Sequence, residues 1–127
     1  MFTSNFDLAG RHPNAVNIAR EPPDWFPGKH YEPFMPPTRL LYSFIKGEMS
    51  WPEYRIRFND EVLAKVKAID AVRDLGDDAI LLCWCKPHSN CHRRLVADWI
   101  ETELGIYLPE YSAHTLNQAQ SLLKQES

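Results

Sequence analysis

The continuous apolar run Ala79-Ile80-Leu81-Leu82 constrains the fold of this chain more than any other stretch. It is short, follows the turn signal Gly76-Asp77-Asp78 and shows no polar alternation, so it reads as a strand buried on both faces of a sheet. After it come Cys83-Trp84-Cys85, a break at Lys86-Pro87-His88-Ser89-Asn90, and then Leu95, Val96, Trp99, Ile100 and Leu104 at helical spacing, closed by Gly105. Strand, turn and amphipathic helix in that order form an α/β unit, which presents its chemistry at the strand's carboxyl end. Here that end holds all three cysteines, His88, His92, Lys86, Arg93 and Arg94.

The remaining segments fit the same architecture. Met1 to Asn5 and Ala15-Val16-Asn17-Ile18-Ala19-Arg20 read as further strands that end in polar residues. Seven of the ten prolines fall in residues 13–37, which also carry Trp25, Phe26, Lys29, His30 and Tyr31. Fixed φ angles and missing N–H donors exclude a regular helix or a central strand there, and the aromatics argue for an ordered loop folded over the domain. Thr38 is expected to cap a short helix with the apolar face Leu40, Leu41, Phe44 and Ile45, ending at Gly47. Ser50-Trp51-Pro52-Glu53 is a capping box, and the stripe Tyr54, Phe58, Val62, Val66 and Ile69 predicts one helix beyond it, with a further turn through Val72 and Leu75. Trp51 and Trp99 are expected in the core. Ile106-Tyr107-Leu108 reads as a last edge strand, and residues from about Ala113 to Lys124 as a terminal helix.

At 127 residues, with 44% hydrophobic and 12% aromatic content, the chain suits one domain spanning 1–127 with a mostly parallel sheet and flanking helices, a Rossmann-like three-layer arrangement. A net charge of -3 argues against broad binding to duplex nucleic acid or an anionic membrane, so any anion recognition has to be local. No apolar run reaches the roughly 20 residues of a spanning helix. The opening residues lack an export-signal pattern. Three cysteines within nine positions do not suit a secreted disulfide framework, and a reducing cytoplasm is the expected compartment.

If Ser89 or Asn90 caps the helix, Cys91 lies in its first turn, where unpaired N–H groups and the helix dipole favour a thiolate or a bound anion. Cys91 is then either a nucleophile or the lining of an anion site, with His92 beside it as a proton carrier. Packing of a small buried thiol between strand and helix is the plainer alternative. Cys83, Cys85, Cys91 and His92 have the donor types of a zinc site, with His88 as a substitute. Their spacing is against it, because adjacent ligands on a helix diverge by about 100°. Arg93 and Arg94 are opposed by the dipole at that position, which points to a ligand or a carboxylate partner for at least one of them. The Trp25 to Tyr31 group could stack on a base, cover a site, or simply pack.

The residues quoted carry a family resemblance. Thr3-Ser4, Asn17-Ile18-Ala19-Arg20, Trp25-Phe26, Tyr31, Ile45-Lys46-Gly47-Glu48 and Ser50 to Tyr54 belong to it. So do Leu81-Leu82-Cys83, Lys86-Pro87, Cys91-His92-Arg93, Leu95-Val96-Ala97 and Trp99. Over the chain up to about Pro109, leaving 110–127 outside, this pattern resembles the family called domain of unknown function 488. Cys83 to Pro87 with Cys91-His92 is also locally similar to domain of unknown function 4326. The first resemblance implies a small α/β domain whose strand ends gather Thr3, Ser4, Arg20, Cys83, Cys91, His92 and Arg93 in one polar site, and it implies no particular reaction. Cys85 stands where that family commonly has a glutamate, which puts any base or ligand role of that position in doubt or passes it to a thiol.

The function expected is binding, with possible transformation, of a small anionic or nucleotide-like ligand. Cys91 and His92 are the catalytic candidates; Thr3, Ser4, Arg20, Cys83, Cys85 and Arg93 are the ligand-binding ones, with no cofactor. The alternative is a zinc-holding module whose aromatic loop meets a protein or single-stranded nucleic acid.

Overall fold

The computed structural model describes residues 1–84 and 90–111. Its centre is a four-stranded, all-parallel sheet in the order β1-β4-β2-β3, with β1 at Phe2–Asn5, β2 at Ala15–Asn17, β3 at Lys29–His30 and β4 at Ile80–Cys83. The apolar run is β4, buried along its whole length between β1 and β2. Register pairs Asn5 with Cys83 and Asn17 with Leu82, so three strands end together in Asn5, Cys83 and Asn17.

Alternation along the strands sends side chains to two cores. On one face Val16, Ile18 and Leu81 meet helices α2 (Thr38–Ile45), α3 (Trp51–Glu61), α4 (Ala68–Leu75) and α5 (His92–Leu104) through Leu40, Phe58, Ala71, Val96 and Ile100. On the other, Ala15, Ile80 and Leu82 are covered by the short helix α1 (Phe6–Ala9) and by Phe26 from the proline-rich segment. This is the three-layer α/β arrangement expected, with a thin second outer layer. No helix among the described residues is long and apolar enough to cross a membrane.

Local signals explain most of the elements. Asn5 accepts a hydrogen bond from the Leu8 amide at 2.9 Å and starts α1. Ser50 Oγ accepts from the Glu53 amide at 3.3 Å, as the capping box requires. Gly105 closes α5 at φ +67°, a conformation that suits glycine. From Pro22 onward the proline-rich segment is an ordered cover whose one strand, β3, is a two-residue edge, where missing donors matter least.

Four expectations are corrected. Pro37, not Thr38, occupies the cap of α2. The single helix through Ile69 is two: α3 ends at Glu61, a 3-10 turn spans Leu63–Lys65, and α4 begins at Ala68. Burying Leu63 is the reason, because a continuous helix would turn it about 100° away from the Phe58 and Val62 stripe; Leu63 is buried and Ile69 is 60% exposed. Ile106 to Leu108 form no strand, and Ile106 and Tyr107 are exposed. Instead the backbone at 109–111 takes the edge of β1: the Thr3 amide donates to Pro109 O and the Tyr111 amide to Thr3 O, at 3.0 and 2.6 Å. Finally, Cys91 is itself the N-cap of α5, so the helix begins later than a Ser89 or Asn90 cap implies. The helix expected from Ala113 to Lys124 lies outside the described residues.

Candidate functional site

A cavity of about 220 Å³ opens where β2 and β4 end. Its floor is Cys83 at the tip of β4 and Cys91 and His92 at the start of α5. One wall is Leu41, Phe44 and Ile45 from α2 with Trp51 and Tyr54 from α3. The opposite rim carries Arg20, Glu21, Pro36, Trp84 and Asn90. Trp51 therefore belongs to the cavity and not only to the core. The wall rings are mutually braced: Trp51 stacks on Tyr54 at 5.5 Å, and Phe44 lies 4.8 Å from Tyr54. Trp84, 55% exposed, is held by its Nε1–H, which donates to Glu21 O at 2.6 Å. The Glu21 carboxylate accepts from the Tyr42 hydroxyl at 2.6 Å, and this bond raises the Tyr42 pKa above its ordinary value.

His92 is buried, with Nε2 2.7 Å from Ile18 O. A carbonyl only accepts, so Nε2 carries the proton and donates it, leaving the lone pair of a neutral ring on Nδ1. That Nδ1 lies 3.9 Å from Cys91 Sγ. Desolvation lowers the His92 pKa from 6.5 to about 4, overcoming the bond to Ile18, and the Arg93 charge adds to the lowering. At neutral pH the ring is uncharged, with its free lone pair beside the Cys91 sulfur.

Arg93 is 1% exposed despite its place in the first turn of α5. Its Nε and NH2 both reach Glu110 Oε1 at 3.0 Å, and NH1 donates to Cys83 Sγ at 3.0 Å while lying 3.9 Å from Cys91 Sγ. A guanidinium so placed favours the thiolate form of either cysteine. The Cys83 and Cys91 sulfurs are joined as a disulfide where the sequence led us to expect free thiols, with Cα atoms 7.7 Å apart. Bridges usually span about 4.4–6.8 Å between Cα atoms, so the pair is better described as two sulfurs converging on one point than as a staple of the fold. Together with His92 they place three ligand-type atoms within 4.8 Å of one another.

The fold thus brings Cys83, Cys91, His92 and Arg93 together. Arg20 joins them at the rim, where its Nε donates to Pro36 O at 2.9 Å and its NH2 to Met35 O at 3.5 Å. These acceptors are neutral carbonyls, which orient the guanidinium without cancelling its charge. Thr3 and Ser4 do not line the cavity: Thr3 Oγ1 donates to Glu110 Oε2 at 2.9 Å, and Ser4 Oγ to Tyr111 O at 3.2 Å. Arg94 is engaged by Thr3 Oγ1 and Leu108 O, at 2.8 and 2.9 Å. Cys85 and His88 lie outside the described residues.

The aromatic loop packs on the far face. Phe26 meets Phe6 at 5.4 Å and Trp25 lies under Arg11, so beyond Glu21 only the end of the proline-rich segment, at Pro36, reaches the cavity. Sequence reasoning missed Glu21, Trp51, Tyr54, Trp84 and Glu110. For Trp84 a signal was present: it follows a buried strand between two cysteines.

No similar curated protein and no similar solved structure was found. A family model described as the active DUF488-N3 subclade matches residues 11–104, which hold β2 to β4, α2 to α5 and every described residue of the cavity. The chain is therefore a member of the domain of unknown function 488 family, in its DUF488-N3a branch.

Proposed function

We propose that this cavity binds and transforms a small nucleotide-like ligand, with Cys91 as nucleophile and His92 as its base. One observation carries this reading: a neutral imidazole, its Nε2–H fixed on Ile18 O, turns its lone pair to Cys91 Sγ on the floor of a cavity. The reduced pair is the working form, which fits a reducing compartment such as the cytoplasm. Cys91 passes its proton to His92 Nδ1 and attacks an electrophilic centre of the ligand. His92 then returns that proton to the leaving group, and water, deprotonated by the same His92 Nδ1, cleaves the bond between Cys91 Sγ and the ligand, the proton returning to Cys91. Arg93 stabilises the thiolate. The aromatic wall and Trp84 suit a flat ring, and the oriented Arg20 suits an anionic group at the mouth. The word "active" in the family description agrees with catalysis.

The test is a panel of nucleotides and their uncharged nucleosides offered to the reduced protein, with binding read by calorimetry and turnover by chromatography. Arg20→Ala should weaken nucleotides about tenfold, roughly 1.4 kcal/mol, and leave nucleosides unchanged. Cys91→Ala should bind and not turn over. Failure of the reduced protein to bind any member, or turnover by Cys91→Ala, refutes the reading.

A second reading, a zinc-holding module, is favoured by the convergence of Cys83, Cys91 and His92 and by the carbonyl on the second nitrogen of His92, a common arrangement behind metal-bound histidines. Against it, Arg93 directs a cation at the same sulfur. One zinc per chain in protein purified without added metal would favour this module over the enzyme.

A further inference from the structure

Residues 108–111 are tied down along their length. The Leu108 amide donates to Glu101 Oε2 at 2.9 Å, Arg94 to Leu108 O at 2.9 Å, and β1 holds Pro109 and Tyr111 through the backbone of Thr3. Tyr111 also packs edge-on against Phe2 at 5.6 Å. The side chain carried inward by this strap is Glu110. One of its oxygens accepts from Thr3 Oγ1 at 2.9 Å, and the other receives both Nε and NH2 of Arg93 at 3.0 Å. A guanidinium is a rigid fork, so once two of its nitrogens are committed the direction of the third is set. That third nitrogen, NH1, is the one 3.0 Å from Cys83 Sγ and 3.9 Å from Cys91 Sγ.

From this chain of contacts we propose that Glu110 is a positioning residue for the thiol pair: its carboxylate, seated by Thr3, aims Arg93 at Cys83 and Cys91. The inference rests on the reading of Cys91 as an activated thiol. It gives the strap, which lies beyond the 11–104 family match, a part in the site, and it gives Thr3 a role in holding Glu110 rather than ligand.

The role makes opposite demands on two substitutions. Glu110→Ala removes both the charge and the two bonds that set the direction of the Arg93 guanidinium, so its aim at the thiolate is weakened. Glu110→Gln removes the charge and keeps an amide oxygen able to accept from Arg93. The experiment is alkylation of the reduced, folded protein by iodoacetamide across pH, with each cysteine read by mass spectrometry. Glu110→Ala should move the midpoints of the rate profiles for Cys83 and Cys91 up by about one pH unit, about tenfold in rate at neutral pH. Glu110→Gln should leave the midpoints at the wild-type value or below.

Midpoints that fall in both variants would mean that only the charge matters, and midpoints that move in neither would make Glu110 purely structural. Either result overturns the proposal. If Glu110→Ala does not fold, Thr3→Val takes its place, because it keeps the shape of Thr3 and removes one bond to the carboxylate. A smaller upward move is then expected, and no move overturns the proposal. The assay contains no ligand, so the two readings fail separately: an ordinary wild-type profile at Cys91 counts against the nucleophile, and an early profile indifferent to Glu110 counts against the positioning role alone.

Discussion

Burial of a neutral His92 makes the stability of this protein depend on pH in a defined window. The ring would titrate near 6.5 in the unfolded chain and titrates at about 4 in the fold. Between those values the unfolded state binds a proton that the native state does not, so stability falls as pH falls and is fully present only above about 6.5. At about 1.36 kcal/mol per tenfold change in proton affinity, the gap amounts to about 3 kcal/mol once pH is below 4. About 2 kcal/mol of that is lost between about pH 7.5 and about pH 5, a large part of the 5–15 kcal/mol expected for a domain. Urea denaturation of reduced protein at both pH values measures it. His92→Gln supplies the reference, since its amide can still donate to Ile18 O and does not titrate. Wild type should lose about 2 kcal/mol more than the variant. Equal losses would mean that His92 is already protonated or solvated in the fold, and would remove the neutral base on which the proposed chemistry depends.

Two further predictions concern the scaffold. Ser50→Ala deletes the side-chain acceptor for the Glu53 amide and should cost about 1 kcal/mol in urea denaturation. Phe58 is fully buried and lies 5.5 Å from the His92 ring; Phe58→Ala should cost about 3–5 kcal/mol, measured as a lower urea midpoint at unchanged slope.

The strand β4, the caps at Ser50 and Gly105 and the clustering of Cys83, Cys91, His92 and Arg93 were legible because each signal is local: a short apolar run, a four-residue box, a glycine at a helix end, a dense motif. Where readings failed, a distant partner had decided the outcome. The helix through Ile69 broke because Leu63 found a core, and Pro109 to Tyr111 paired with β1 in place of Ile106 to Leu108. Periodicity marks apolar faces without saying what covers them, so Tyr54 and Trp51 read as core although both line the cavity.

The same division holds for the site. Sequence alone determined which groups are the candidates for chemistry and that they sit at one strand-to-helix junction, because bonded neighbours are constrained to stay close. Only the tertiary structure decided their states. The Ile18 carbonyl selects the tautomer of His92, burial keeps it neutral, and Glu110 orients Arg93 from 17 residues away. Tautomer, protonation and direction are set by atoms that meet through space, and such contacts leave no spacing in a sequence.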